Sequence, residues 1–226
     1  MSNQLYNLVI VAHPDDETIY FSAPILKDRS HPWKVICITN GNADGNGDQR
    51  LQQFEQACQK LKVDKFERWD FPDIYENRID IERLYSELSE LEAPLKLYTH
   101  GVIGEYGHPH HQDISYAVHK VFSSSSQVLS VSYNAFPDQV LKLTQEEYNL
   151  KTEILSKIYA DEIEKFANLV PATAIDSYTE VSFSEVEAIY KFLASGESLS
   201  EDKLDKYKWL YHHIVKTLGT PNKRLF

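Results

Sequence analysis

Cysteine is scarce in this chain: only Cys37 and Cys58 carry a thiol among its 226 residues. Two cysteines do not make a disulfide framework, and no Cys-x-x-Cys motif is present to suggest a zinc ribbon or a redox site. Cys37 lies in an apolar run and Cys58 between polar helix formers. We therefore expect both to be structural thiols in a reducing compartment.

Long hydrophobic runs are missing as well. Residues 1–7 contain neither the basic region nor the long apolar region of a signal peptide, so none is predicted. No apolar run approaches the ~20 residues that a membrane-spanning helix needs. The sequence therefore predicts a cytoplasmic protein without an integral membrane segment.

Blocks of basic residues are also absent. The 23 Lys and Arg are outnumbered by 34 Asp and Glu, which gives a formal net charge of −11. This charge disfavours nucleic acid or an anionic membrane surface as a partner, and solubility alone explains it. Hydrophobic content of 42% and charged content of 25% are typical of a globular protein.

What the chain does have is an alternation of strand-like and helix-like segments, which indicates right-handed βαβ crossovers, a mainly parallel sheet and an α/β fold. From about Thr144 onward it is predicted to be largely helical. No repeat or linker divides it, so we expect a single domain over residues 1–226. The predicted strands are Leu5–Ala12, Trp33–Thr39, Phe66–Phe71, Leu95–Thr99 and Gln127–Tyr133, and the helices are Glu17–Arg29, Gln49–Leu61, Ile79–Leu91, Ile114–Phe122, Glu146–Phe166, Ser184–Leu193 and Ser200–Leu218.

The first cluster of ionisable side chains is the turn Ala12-His13-Pro14-Asp15-Asp16-Glu17, directly after the apolar run Leu8–Val11. Open α/β sheets bind ligands at the carboxyl ends of their strands. One aspartate can bind a cation together with His13, while the other takes a proton from the water at the open coordination position. Taken alone, the turn is better explained by an aspartate that caps a helix beside an exposed histidine.

The second cluster, Gly104-Glu105-Tyr106-Gly107-His108-Pro109-His110-His111, follows the predicted strand that ends at Thr99. If a helix begins here, His108 and His111 lie on one face and His110 points elsewhere. One histidine can supply a third metal ligand, and another can donate to an oxyanion or a leaving group. His100, at the strand end, is expected to be a hydrogen-bonded structural histidine. Two such clusters predict metal-assisted hydrolysis.

Together the two clusters resemble the signatures of the PIG-L/LmbE-like zinc deacetylases, the N-acetylglucosaminyl deacetylase family, over roughly residues 8–121. The resemblance implies a Rossmann-like three-layer α/β sandwich and a Zn²⁺-dependent hydrolase. Its substrate would be an N-acetylglucosamine-type amino sugar or a conjugate of one. The resemblance also implies individual roles: His13, Asp16 and His111 as zinc ligands, Asp15 as general base, His108 as oxyanion stabiliser or acid, and Tyr106 as a group that helps to hold the transition state.

One departure from the family pattern concerns the second cluster. The family places an aspartate where this chain has His110, and that aspartate orients a neighbouring histidine. The exchange removes the charge that would raise the pKa of that neighbour. Glu105 and Asp113 are the carboxylates that could compensate.

Other positions bear on the substrate. By resemblance Arg50 is a substrate contact, although Gln53 replaces the acid of the family's Arg-x-x-Glu helix start and Lys62 stands where glycine is usual. The polar loop that contains Asn42 and Asp44 follows a predicted strand, so these residues are candidate contacts to sugar hydroxyls. An ordinary turn explains that loop equally well.

Two alternatives remain open. The same centre could hydrolyse another N-acyl compound, or the protein could be a catalytically silent, metal-containing sugar-binding protein, for which His110 is the best support. The identity of the acylated sugar and its aglycone is not predicted. A homo-oligomer is also open, because members of the family often assemble.

Overall fold

The computed structural model describes residues 5–75, 77–133, 135–165, 173–195 and 206–210. These residues divide into two compact units. The first unit draws on the described residues within 1–75, 94–98 and 140–176, and the second on those within 76–93, 99–139 and 177–226. Each unit is presented separately below.

The described residues form an α/β fold with seven strands and seven α-helices, in which parallel and antiparallel strand pairs both occur. A π-helix, Ile154–Ile158, separates the fifth and sixth helices. The strands are β1 (Asn7–Val11), β2 (Trp33–Thr39), β3 (Lys65–Phe71), β4 (Lys96–Thr99), β5 (Gln127–Val131), β6 (Gln139–Lys142) and β7 (Ile175–Thr179). The helices are α1 (Asp16–Lys27), α2 (Gly47–Lys60), α3 (Ile81–Ser89), α4 (Pro109–Phe122), α5 (Gln145–Glu153), α6 (Ala160–Lys165) and α7 (Phe183–Ala194).

The sheet of the first unit has the order β3-β2-β1-β4, with β1 parallel to β2 and β2 parallel to β3. Every residue of β1 is buried, as expected for a strand of a parallel sheet whose two faces are both covered. Val9 pairs with Val35 of β2, and Val35 pairs with Phe66 of β3. The apolar run Leu8–Val11 is therefore an inner strand, and His13 follows it at the carboxyl end of the sheet.

The predicted α/β fold is confirmed, and β2 has the predicted bounds. Helix α1 is buried from Asp16 to Ile25, so it is enclosed on every side. Helix α4 begins at Pro109, five residues before the predicted start at Ile114. Proline is favoured at the first helical position, where its missing N–H is not needed. His110 and His111 thus lie in the first turn of α4, and His108 is its N-cap.

The C-terminal part contains more elements than the long helices that were predicted there. Residues 146–166 are divided among α5, the π-helix and α6, and strands β6 and β7 were missed. Strand β7 pairs antiparallel with β5, with Thr179 opposite Ser130. The two missed strands are short and rich in polar residues, so neither shows the apolar run of a buried strand. The prediction at 184–193 agrees with α7, whereas most of 200–218 lies outside the described residues.

Two of the departures from the family pattern have a structural explanation. Lys62 follows the end of α2 with φ 58, a left-handed conformation in which glycine carries no steric cost. That is the physical reason for a glycine at this position. The Gln53 side chain donates to the carbonyl of Ile158, 2.8 Å away, and so ties α2 to the end of the π-helix.

Among the helices that the structure describes, none combines the length and the apolar character needed to cross a lipid bilayer.

Candidate functional site

The turn after β1 has an unusual backbone. Asp15 adopts φ 128, a conformation that L residues rarely occupy. Its backbone N–H donates to the Glu17 carboxylate over 3.0 Å. Gly41 packs against the turn so closely that a Cβ there would lie 3.2 Å from the Pro14 ring. These contacts hold Asp15 in a strained geometry of the kind that clusters at functional sites.

The side chain of Asp15 does not act as a helix cap. It occupies the N-cap position of α1, yet within the described residues it makes no capping hydrogen bond. Its side chain pairs with Arg50, whose guanidinium lies 3.4 Å from Asp15 Oδ2. Burial raises the pKa of the Asp15 carboxyl well above its usual range, and the charge of Arg50 opposes this only in part. A carboxylate with raised proton affinity is suited to general-base catalysis.

His13 lies between two carboxylates. Its backbone N–H donates to Asp16 Oδ2 over 2.8 Å, and its Nδ1 lies 3.4 Å from the same oxygen. Its Nε2 lies 3.6 Å from Asp73 Oδ1. Burial disfavours a charged imidazole, but the hydrogen bonds to Asp16 and Asp73 outweigh it and raise the pKa of His13 to about 10. These surroundings favour a positive charge, and nitrogen with carboxylate oxygen is a donor set that zinc accepts.

Arg50 is the cation of a buried acidic cluster. It donates to the carbonyl of Pro14 over 2.6 Å, and its guanidinium lies 3.7 Å from Asp73 and 3.8 Å from Glu162. Within the described part of the chain, its Nε has no hydrogen-bond partner. Sequence reasoning missed Asp73 and Glu162. Asp73 follows the end of β3 and could have been found by the strand-end rule, but no sequence signal marks Glu162 of α6.

Glu17 is buried and forms hydrogen bonds that hold the turn in place. Besides the backbone N–H of Asp15, its carboxylate accepts the hydroxyls of Thr18 over 2.6 Å and of Tyr159 over 2.9 Å. Burial raises the pKa of Glu17 to about 7, although these hydrogen bonds favour its ionised form. Tyr159 is fully buried just after the π-helix, and sequence reasoning did not single it out. The carboxylate that binds the backbone of Asp15 thus also binds a hydroxyl from far along the chain.

In the second unit, the loop before α4 requires glycine at one position. Gly104 has φ 71, and a Cβ there would lie 2.5 Å from the backbone oxygen of His108. Glu105 follows with φ 39, also left-handed. The chain thereby turns back so that His108 caps α4: its Nδ1 accepts the backbone N–H of His110 over 3.2 Å. A neutral His108 therefore carries its ring proton on Nε2, where it can donate to a ligand.

The aromatic side chains of the second cluster form a stack. The rings of His108 and His111 lie 4.6 Å apart and nearly parallel, which confirms that they share one face of the helix. On its other side, His111 stacks on His100 at 3.8 Å. The Tyr106 ring meets His111 edge-on at 5.6 Å, and the buried His110 ring lies 5.1 Å from His108.

A single carboxylate links His100 and His111. Glu105 Oε2 is hydrogen-bonded to Nδ1 of His111, and Oε1 lies 3.3 Å from Nδ1 of His100. Oε1 also accepts the backbone N–H of Gly101 over 2.8 Å. Burial alone would raise the pKa of Glu105, but the two imidazoles lower it to about 2. Of the two carboxylates that could compensate for the family aspartate, Glu105 is the one that forms hydrogen bonds with histidine side chains.

The predicted sugar-contacting loop is exposed. The Asn42 side-chain oxygen accepts the backbone N–H of Gly47 over 3.0 Å. Asp44 lies in the same loop. Contact of either residue with a sugar stays a prediction.

The sequence profile of the PIG-L family, described as GlcNAc-PI de-N-acetylase, matches residues 8–122, just over half of the chain. This chain belongs to the PIG-L family. The matched range includes both histidine-containing clusters. Tyr159 and Glu162, which support the first cluster, lie beyond the matched range.

PIG-L relatives resemble only part of this chain. Protein L374 of Acanthamoeba polyphaga mimivirus, which is uncharacterised, is 35% identical over 124 residues, covering 48% of this chain and 54% of its own length. The N-acetylglucosaminyl-phosphatidylinositol de-N-acetylase of Saccharomyces cerevisiae is 32% identical over 92 residues, covering 36% of this chain and 30% of its own. This PIG-L chain thus aligns with about half of one relative and a third of the other.

The fold agrees with that of a solved deacetylase. The N,N'-diacetylchitobiose deacetylase of Pyrococcus horikoshii superposes with a TM-score of 0.63 and 15% sequence identity, over 80% of this PIG-L chain and 85% of that protein. At this identity the likeness establishes the fold alone.

Proposed function

We propose that this PIG-L protein is a metal-dependent N-deacetylase that hydrolyses the N-acetyl group of an N-acetylglucosamine-type sugar or its conjugate. The observation that carries the proposal is the turn after β1, where His13 and Asp16 form a nitrogen–oxygen cluster beside the buried carboxylate of Asp15. Relatives support the substrate class. The yeast protein is named for removing an acetyl group from an N-acetylglucosaminyl lipid, and the Pyrococcus protein for deacetylating diacetylchitobiose.

We propose zinc as the metal, with His13, Asp16 and His111 as its ligands, as the family signatures imply. Three protein ligands of this kind leave one coordination position for water, which is the pattern of catalytic zinc sites. When bound there, the ion would lower the pKa of that water and polarise the amide carbonyl. The strong preference of the surroundings of His13 for positive charge supports a cation at this place.

The protein groups would then move protons and stabilise charge. Asp15 accepts a proton from the attacking water, and its raised pKa favours that transfer. The Nε2–H of His108 donates to the oxyanion of the tetrahedral intermediate, and Tyr106 helps to hold the transition state. The proton held by Asp15, or that of His108, passes to the departing amine, so that an amine and acetate leave.

Substrate recognition is proposed for Arg50, Asn42 and Asp44. Arg50 offers a buried Nε that has no partner among the described residues, and the other two lie in the exposed loop after β2. We further propose one PIG-L/LmbE-like domain over residues 1–226 and a cytoplasmic location. A homo-oligomer remains a prediction.

The proposal is tested by metal removal. Dialysis against a chelator should abolish release of acetate from N-acetylglucosamine conjugates, because His13 and its partners then hold no cation. Addition of Zn²⁺ should restore the activity, and metal analysis should show about one ion per chain. Hydrolysis that continues undiminished in the metal-free protein would exclude the mechanism. A panel of sugar conjugates and simple amides separates the sugar deacetylase from a general amidohydrolase, and no turnover on the whole panel would indicate a silent binding protein.

Replacing Tyr159 by phenylalanine should reduce kcat about tenfold while KM and metal content stay unchanged. The change removes one hydroxyl donor to Glu17, and a hydrogen bond to a charged group contributes about 1.5–3 kcal/mol. A loss of ~1.4 kcal/mol in the positioning of Asp15 corresponds to a factor of ten in rate. Steady-state kinetics measure the effect.

Tyr207→Phe is the matched control for this change. The Tyr207 hydroxyl is buried and has no hydrogen-bond partner among the described residues, so its removal should leave kcat unchanged. If the Tyr159 and Tyr207 variants have equal rates, the hydroxyl of Tyr159 does not position Asp15.

A further inference from the structure

The histidine stack of the second unit includes a buried carboxylate, that of Glu105. Glu105 is only 2% exposed, and a buried charge is costly unless each of its oxygens is hydrogen-bonded. Here each oxygen has its own partner. Oε1 accepts the backbone N–H of Gly101, and Oε2 is bound to Nδ1 of His111.

We propose that Glu105 is a positioning residue that keeps the proton of His111 on Nδ1 and so presents Nε2 as the metal-binding atom. An ionised carboxylate only accepts hydrogen bonds, so the Nδ1 atom that faces it must carry hydrogen. In a neutral imidazole the other nitrogen is then the lone-pair donor. This inference rests on the proposed role of His111 as a metal ligand.

The backbone holds Glu105 in this place. Gly104 and Glu105 both have positive φ, and the space above Gly104 is filled by the backbone oxygen of His108. A chain reversed in this way directs the Glu105 carboxylate toward the first turn of α4. The stack of His100 on His111, at 3.8 Å, limits rotation of the imidazole from the other side. Carboxylates in this outer position orient metal-binding histidines and increase their basicity.

Asp113, the other candidate carboxylate, forms its hydrogen bonds with residues outside the histidine stack. Its Oδ1 accepts Arg78 and the hydroxyl of Tyr190, both over 2.7 Å. Its Oδ2 accepts the backbone N–H of Ile79 over 2.9 Å. These contacts join α4 to α7 and to the segment before α3. Asp113 therefore holds the helix in place, while Glu105 acts on His111.

Glu105→Gln tests the inference. Glutamine is nearly isosteric but has a single acceptor oxygen, so it cannot present one oxygen to Gly101 and another to His111. We expect the dissociation constant for Zn²⁺ to rise about 10–100-fold, as for other outer-shell partners. Long-range ¹H–¹⁵N NMR of the metal-free variant, at a pH where imidazoles are neutral, should show His111 as a mixture of tautomers.

The matched control is Asp113→Asn, which removes the buried carboxylate within α4 that does not contact His111. It should lower thermal stability, yet leave the tautomer of His111 and the Zn²⁺ dissociation constant unchanged. Metal binding and NMR require no substrate. The Glu105→Gln variant could therefore change both the His111 tautomer and the Zn²⁺ dissociation constant while the wild type shows no hydrolysis. That result would contradict the proposed function and support this inference.

The same NMR measurement on the wild-type, metal-free protein does not depend on the folding of any variant. It should show His111 protonated on Nδ1 alone. Observation of the Nε2–H tautomer there, or an unchanged Zn²⁺ dissociation constant in a folded Glu105→Gln variant, would overturn the inference.

Discussion

Asp15→Asn should reduce kcat by about 10²–10⁴-fold, the range that a general base contributes, without loss of bound metal. Asparagine has nearly the same shape but cannot accept the proton of the attacking water. Asparagine also has the same Cβ and Cγ geometry as aspartate, so the turn that holds residue 15 at φ 128 should persist. The proposed ligands His13 and Asp16 are left intact, which separates loss of the base from loss of the ion.

Initial rates of acetate release, together with metal analysis of the same preparation, measure this effect. Asp48→Asn provides the control, because Asp48 is an exposed carboxylate in the first turn of α2 and makes the same change of charge. That variant should match the wild type. If the Asp15→Asn protein keeps more than about a tenth of the wild-type kcat, Asp15 is not the general base.

The first half of the site could be predicted because its signals are local. The buried run Leu8–Val11 identifies a strand, and polar residues after a parallel strand are directed to the ligand-binding edge. The three-residue spacing of His108 and His111 likewise indicates one helical face, and their stacked rings confirm it. The start of α4 was misplaced by five residues, since a histidine-rich first turn lacks apolar periodicity.

The supporting residues could not be predicted, because their roles depend on tertiary contacts. Tyr159 and Glu162 come from a segment beyond the family signatures, and nothing in their local sequence indicates that they reach Glu17 and Arg50. The partnership of Glu105 with His111 depends on a left-handed loop. Sequence reasoning named Glu105 and Asp113 as alternatives, and only the packing of α4 distinguishes them.

Lys151→Met should destabilise the protein by about 3–5 kcal/mol, the cost of breaking a buried ion pair by removing one partner. Lys151 Nζ lies 2.7 Å from Asp176 Oδ1, and the Lys151 side chain has no exposed surface. Without the ammonium, the Asp176 carboxylate stays buried with its contact to the backbone N–H of Ala23, over 2.7 Å. Urea unfolding of both proteins at neutral pH measures the difference.

The loss in free energy of unfolding caused by Lys151→Met should become smaller as the pH falls. Burial raises the pKa of Asp176, and the charge of Lys151 opposes that rise, so the variant has the higher folded-state pKa. A carboxyl whose pKa is higher in the folded state binds more protons when folded, and its protonation at low pH therefore favours folding. Urea midpoints of wild type and variant should converge from neutral toward acidic pH, and a constant difference would contradict this assignment.

Lys151→Met combined with Asp176→Asn separates the lost charge from the lost packing. Asparagine keeps an oxygen that can accept the backbone N–H of Ala23 but carries no charge. Because the cost of the single variant is the uncompensated carboxylate rather than the absent lysine, the double variant should recover most of the lost free energy of unfolding. Recovery of less than about a third would assign the loss to packing around the lysine stem instead.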